Sequence, residues 1–356
     1  MEQTMEFSGR LASACLVPGQ HGIINLNDEW VVEPKFGFIY PFTEGIASAS
    51  EGGRWGFIDK RGEWAIKPSF EEVGEFENGL SQAKHRGRWG LIKKDGKWAI
   101  EPEFDIVFCF SEDLACAGVR GYYGFIDRRG SWKIDPVFDI DDAYQGFRDG
   151  LARVGKSGKW GFINTNGAWV VRPVFDNVYW IFQDGMTPAR KGARCGFIDK
   201  EGMWVIAPDF DDIMPFSEGL AKAKKNHKWG FIDNTGNWAI EPDYSDVGAF
   251  TDGIAPAQKG RKWGFIDADG RWILAPQYGA VDGFADGLAR ATRNGKEGYI
   301  DTHGRWFVPP VYDLVPPHFD NGVAMVMVKG KWGFIDLHAK WLVEPRYELV
   351  TLIPES

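Results

Sequence analysis

The sequence predicts an all-β chain folded as a closed β-propeller of about ten small four-stranded blades, and three observations carry that prediction. One motif recurs almost from end to end. Its glycines stand at Gly22, Gly56, Gly90, Gly124, Gly161, Gly196, Gly230, Gly264, Gly298 and Gly333, spaced by 34, 34, 34, 37, 35, 34, 34, 34 and 35 residues. A fixed period of this length marks a solenoid, propeller or array. The composition, 45 Gly, 19 Pro and 17 Trp in 356 residues, suits short strands and tight turns, and helical periodicity is scarce. Finally, the chain opens on what reads as the second strand of its first unit and ends on a surplus strand, Tyr347 to Ile353.

Each element follows from the unit around Gly230. Leu220, Ala221 and Ala223 read as a strand, Asn226 and His227 as a turn, and Trp229 to Asp233 as a second strand with alternating faces. The turn ending at Gly236 leads to a strand from Trp238 to Ile240, expected to stop at Pro242 because proline cannot donate to a ladder. A short segment from Val247 to Phe250 completes the unit. In propeller order these strands are A (the Val247 segment, innermost), B (Leu-Ala-x-Ala), C (Trp-Gly-Phe-Ile-Asp) and D (x-Trp-x-Ile-x-Pro, outermost). The surplus C-terminal strand is expected to supply strand A of the first blade. An open solenoid, the alternative, would need atypical polar caps that neither terminal unit shows.

Eight residues after each glycine stands a tryptophan, Trp30 through Trp341, in all ten units. The tryptophan position before the glycine varies, becoming His21, Tyr123, Cys195 and Glu297. The constant tryptophan is therefore expected in the core and the variable one at a blade edge, since an unpaired buried carboxylate is costly.

The repeated Lys-Trp-Gly-Phe-Ile-Asp-x-x-Gly-x-Trp-x-Ile-x-Pro-x-Phe-Asp, read at Trp55, Trp89, Trp160, Trp229, Trp263 and Trp332, closely resembles the WG (KWG) repeats of bacterial proteins. The resemblance covers about residues 7–353 and implies a β-repeat module suited to binding. It brings no catalytic residues with it.

The period runs through the chain without a linker, so a single repeat domain over residues 1–356 is expected. No basic start leads into an apolar run and no 18 consecutive residues are apolar, which predicts a cytoplasmic protein without membrane contact. A net charge of −9 argues against nucleic acid as a partner. Cys15, Cys109, Cys116 and Cys195 lack metal-ligand spacing and read as reduced, and the six histidines are scattered over different units. No phosphate loop, metal set, cofactor motif or nucleophile–base pair is found, and no catalytic residue is assigned.

Two patterns point to an interaction face, because successive hairpins place the D–A and B–C turns together. The B–C turns carry a base in eight of ten units, among them Arg54, Arg88, Lys159 and Lys228. Acids such as Glu218 and Asp252 collect in the A–B turns opposite. Departures from the period also fall in the D–A segment: the gap from the post-proline aromatic to the next phenylalanine lengthens at Phe138–Phe147, Phe175–Phe182 and Tyr312–Phe319. Insertions on one face of a repeat protein mark its binding face. The same segments carry Tyr40, Phe108, Tyr144, Tyr179, Trp180 and Met214, and Trp180 is the one tryptophan outside the two repeat positions. The first reading is a non-enzymatic binding or scaffold module for a protein or peptide. Glycan or small-ligand recognition by aromatics near a channel mouth is the alternative, and an unrecognised hydrolase the third.

Overall fold

In the computed structural model the chain is all-β, and the structure describes residues 10–139 and 146–353. Ten antiparallel sheets follow one another as the blades of a β-propeller, seven with four strands and three with three among the described residues. In blade 7, strands Asp212–Ser217, Leu220–Lys225, Lys228–Ile232 and Trp238–Tyr244 lie side by side in chain order. The termini share blade 1. Leu349–Leu352 pairs antiparallel with Leu11–Val17, in the register Ala12↔Leu352 to Cys15↔Leu349, and so forms the inner strand of blade 1. The expected strand exchange is present.

The blades form two compact units: the described residues up to Pro136 with those from Asp313 onward, and residues 137–312. Inside each unit the core sits between neighbouring blades, because strand C alternates its side chains across the sheet. In blade 7, Phe231 points toward blade 8, where its ring meets Phe250 at 4.7 Å, as Phe265 meets Phe284 at 4.6 Å one blade on. Ile232 points the other way, into the cluster of Phe197, Ile206 and Phe210 from blade 6. The alanines of strand B, Ala221 and Ala223, are fully buried and keep the sheets close.

Strand D departs from expectation: it runs through its proline, from Trp238 to Tyr244. The reason is its place at the blade's outer edge, where a missing N–H costs nothing, and a bulge that shifts register between Trp229↔Tyr244 and Phe231↔Ile240. The same bulge explains the constant glycine. A Cβ on Gly230 would lie 2.4 Å from the Ile240 carbonyl oxygen and 2.8 Å from the Pro242 nitrogen, and each of the other nine glycines faces its strand D as closely.

The expected roles of the two tryptophans are also corrected. The constant tryptophan is only partly buried, and Trp272 is 37% exposed, whereas Trp229 at the variable position is 9% exposed. Constancy at the outer strand reflects an edge-to-face contact with the post-proline aromatic of the preceding blade, as in Phe210–Trp238 at 5.6 Å and 77° and Phe175–Trp204 at 5.5 Å and 86°. Glutamate is tolerated at Glu297 because Arg290 lies 3.7 Å from its carboxylate.

Among the described residues, strand A of blades 9 and 10 shrinks to the single bridges Val281↔Ala291 and Leu314↔Met327, and blade 5 shows the bridge Asp139↔Gly155. Blade 10 is one of those with a longer D–A segment. Tyr144 falls outside the described residues, as do Asp141 and Asp142 beside it.

Candidate functional site

Where strand D of one blade turns into strand A of the next, the residue after the aromatic sits beside the B–C turns of both blades. In seven of ten units it is acidic: Glu71, Asp105, Asp139, Asp176, Asp211, Asp313 and Glu348. Four of these carboxylates, Glu71, Asp105, Asp176 and Asp211, clasp neighbouring blades together. Asp176 pairs with Lys159 of blade 5 and accepts the Gly192 N–H of blade 6 at 2.6 Å. Asp105 pairs with Arg88 of blade 3 and accepts the Arg120 N–H of blade 4 at 2.6 Å. Asp211 takes Arg194 at 2.5 Å and the His227 N–H at 3.4 Å. Glu71 accepts the N–H groups of Arg86 and Gly87, both at 2.9 Å, with Arg54 at 3.8 Å. The electrostatics agree: the bond to Lys159, then the Gly192 N–H, hold the Asp176 carboxyl below its ordinary range. The Gly87 N–H does the same first for Glu71.

Arg54, Arg88 and Lys159 therefore bond to the protein's own carboxylates, and the expected basic face is largely neutralised. Lys228 differs, because the residue facing it is Ser245. The sequence signal of these clasps is an acid directly after the post-proline aromatic. The acids opposite are turn residues as well. Asp233 Oδ1 accepts the Thr235 and Asn237 N–H groups at 2.9 and 3.0 Å, and Glu218 accepts those of Asp252 and Gly253 at 2.8 and 2.9 Å.

Among the aromatic candidates, Tyr179 and Met214 come together: the Tyr179 hydroxyl donates to Met214 Sδ at 2.8 Å. Burial, then the charge of Asp212, raises the Tyr179 hydroxyl's pKa, so it stays a donor at neutral pH. Trp180 follows, 36% exposed, with the Arg148 guanidinium 5.7 Å from its ring. Beside Tyr179 lies a recess of about 50 Å³, lined by Asn177, Pro188, Arg190, Cys195 and Asp212. That volume admits a side-chain tip and falls below the ~300 Å³ of a small-molecule site. In the other unit, Tyr40 is 42% exposed and packs tilted against Phe38 at 4.8 Å and Trp55 at 5.4 Å, with His21 4.6 Å from Phe38. Sequence reasoning found Tyr40 and missed its neighbours, which are ordinary repeat residues. Phe108 lies half-buried on the inner strand of blade 4.

All four cysteines are free. Burial pushes the Cys109 thiol up to about 12 and Cys195 to about 11, which leaves both protonated and weakly nucleophilic near neutrality. Among the described residues no group of three His, Cys, Asp or Glu side chains is placed to hold a metal ion. No helix of the described residues is long and apolar enough to cross a membrane.

Among solved structures the chain is similar to a eukaryotic initiation factor, with a TM-score of 0.57 and 8% identity over 96% of this chain and 98% of that one. It is also similar to AztD of Citrobacter koseri, with a TM-score of 0.39 and 12% identity over 98% of both chains, and to Hsv2p of Kluyveromyces lactis, with 0.36 and 8% over 68% and 97%. At these identities the first likeness speaks to the fold alone. Among curated protein sequences none matches the chain. The family model for the WG containing repeat matches ten consecutive segments, 22–55, 55–89, 89–123, 123–160, 160–195, 196–229, 229–263, 263–296, 298–332 and 332–353. With those segments spanning the ten blades, the chain belongs to the WG-repeat family.

Proposed function

We propose that this propeller is a non-enzymatic binding or scaffold module whose partner is a protein or peptide, engaged through one face of the repeat. The observation that supports the reading best is Trp180, exposed on a segment where no repeat position calls for an aromatic. Trp and Tyr dominate interface hot spots, and a ring held by Arg148 and flanked by the Tyr179–Met214 bond is an anchor already ordered for contact. The recess beside it suits one side-chain tip, as a peptide offers. The exposed Tyr40 group gives glycan stacking a specific foothold, so glycans belong in the same experiment.

Calorimetric titration with panels of peptides and of glycans, together with a hydrolase activity screen, tests the proposal. Peptide binding that Trp180→Ala with Tyr179→Ala weakens by at least ~2 kcal/mol, without turnover, supports it. Glycan binding lost in Tyr40→Ala, or turnover in the screen, overturns it.

A further inference from the structure

We infer that blades 7, 8 and 9 carry a two-pronged carboxylate-binding site for an acidic segment of a partner protein, an inference that rests on the binding-module reading above. The clasp junctions supply the precedent. Six of them show a carboxylate accepting a backbone N–H from the B–C turn of the following blade, at Glu71, Asp105, Asp139, Asp176, Asp211 and Asp313. A base from the preceding blade completes the cradle, as Lys159 does for Asp176.

At two successive junctions this chain keeps the cradle and omits the carboxylate. Between blades 7 and 8 the acid position holds Ser245, and between blades 8 and 9 it holds Gly279. The backbone there is unchanged: Ser245 N–H bonds the Gln258 carbonyl at 2.9 Å and Gly279 N–H the Thr292 carbonyl at 2.8 Å, as Asp176 N–H bonds Arg190 at 2.9 Å. The bases remain. Lys228 stands where Lys159 stands, Lys262 likewise one blade on, and both are exposed. The turn donors remain as well. Gly260, with φ of 63°, matches Gly192 at 64°, the residue whose N–H holds Asp176. Asn294 and Gly295, at 54° and 75°, match Arg86 and Gly87 at 52° and 75°, which hold Glu71. The third junction without an acid, at Gly37, differs, since Gln20 replaces the base there.

Nearby acids do not compensate. Asp246 turns its carboxylate to the Val247 N–H at 2.8 Å, Asp243 pairs with Lys259, and Asp282 is gripped by Arg290 at 2.6 Å. Blade 8 also carries Gln277 where blades 6 and 7 have Asp209 and Asp243, the partners of Lys225 and Lys259. Lys228, Arg261, Lys262 and Arg293 are all exposed, and none forms an ion pair among the described residues. On a chain of net charge −9, four uncompensated cations on three successive blades form a local attractor for anions.

The cradle selects carboxylate over phosphate. Each prong offers one positive charge and one or two N–H donors, the set that satisfies an Asp or Glu side chain elsewhere in the same fold, whereas a phosphate near −2 exceeds it. Two prongs on adjacent blades suit an extended segment bearing two acidic residues.

Fluorescence anisotropy with labelled hexaglutamate tests the inference, with hexaglutamine and inorganic phosphate as the other arms. Ser245→Asp with Gly279→Asp restores the internal carboxylates; a Cβ on Gly279 meets nothing closer than 3.5 Å, so the fold accommodates it. The expected results are salt-sensitive binding of hexaglutamate and none of hexaglutamine. The double Asp variant should lose at least about tenfold in affinity with Tm unchanged or raised, and Lys228→Gln with Lys262→Gln should lose as much. Wild type that ignores hexaglutamate, a double Asp variant that binds like wild type, or full displacement by equimolar phosphate each overturns the inference. If hexaglutamate fails while peptides still bind through Trp180, only the inference falls; turnover in the activity screen would instead remove the binding-module reading itself.

Discussion

Truncation after Glu348 removes the strand that joins the two termini. The deletion strips four paired residues from the inner edge of blade 1, together with the Ile353 N–H bond to the Leu11 carbonyl at 2.8 Å. It also withdraws two core side chains, Val350 and Ile353, which are 4% and 3% exposed and pack in separate clusters. Burial of one such side chain contributes about 1.5–3 kcal/mol, so the pair accounts for roughly 3–6 kcal/mol. At about 2.1 cal/mol/K per residue, 356 residues carry an unfolding entropy near 0.75 kcal/mol/K, and the loss corresponds to a fall in Tm of about 4–8 °C. The exposed edge of Leu11–Val17 should also template association. Differential scanning calorimetry and light scattering read both effects, and a synthetic peptide of residues 347–356 added in trans should restore the lost Tm. A truncated protein that melts with the parent and stays monodisperse would refute the reasoning.

Further outcomes follow from the same geometry. Gly230→Ala should cost ~1–3 kcal/mol in denaturant titration because its Cβ meets backbone, while Gly279→Ala should cost under about 0.5 kcal/mol; equal costs would remove the close-approach account of the constant glycine. Trp238→Leu should lose the edge contact to Phe210, about 0.5–1.5 kcal/mol beyond the area lost, and a double-mutant cycle with Phe210→Leu should recover that coupling; zero coupling would contradict the inter-blade role. The lowered carboxyl pKa values of Asp176 and Glu71 contribute stability that is complete above the ordinary carboxylate range near pH 4. That stability disappears as pH falls through their lowered folded values, so Asp176→Asn should flatten the acid limb of Tm against pH; a limb as steep as the parent's would exclude the clasp from acid stability.

The architecture was legible because every unit restates it. Period-2 alternation in Trp-Gly-Phe-Ile-Asp, turn residues between strands and the surplus C-terminal strand all follow from local rules, and the observed sheets obey them. The role of the constant tryptophan was not legible, since constancy reads the same whether a ring is enclosed or holds one contact at an edge, and Trp272 does the latter. The strand through Pro242 was hidden for a similar reason: whether a missing N–H matters depends on which strand lies outermost. The clasps depend on a turn about 16 residues downstream, as in Asp176 with Gly192, a proximity set by blade packing. Once one clasp is known, Ser245 and Gly279 become readable in the sequence as its two interruptions. Of the aromatic candidates, Tyr179 with Met214 and the exposure of Trp180 and Tyr40 are structural facts; their use by a partner remains the proposal made above.

The most direct measurement of the functional account is heteronuclear NMR on protein labelled with ¹⁵N-glycine, titrated with hexaglutamate. The Gly260 and Gly295 amides should shift saturably as a carboxylate enters their cradles, while Gly192 and Gly87, already bonded to Asp176 and Glu71, should stay in place. Unmoved Gly260 and Gly295 resonances, or equal shifts at all four glycines, would contradict it.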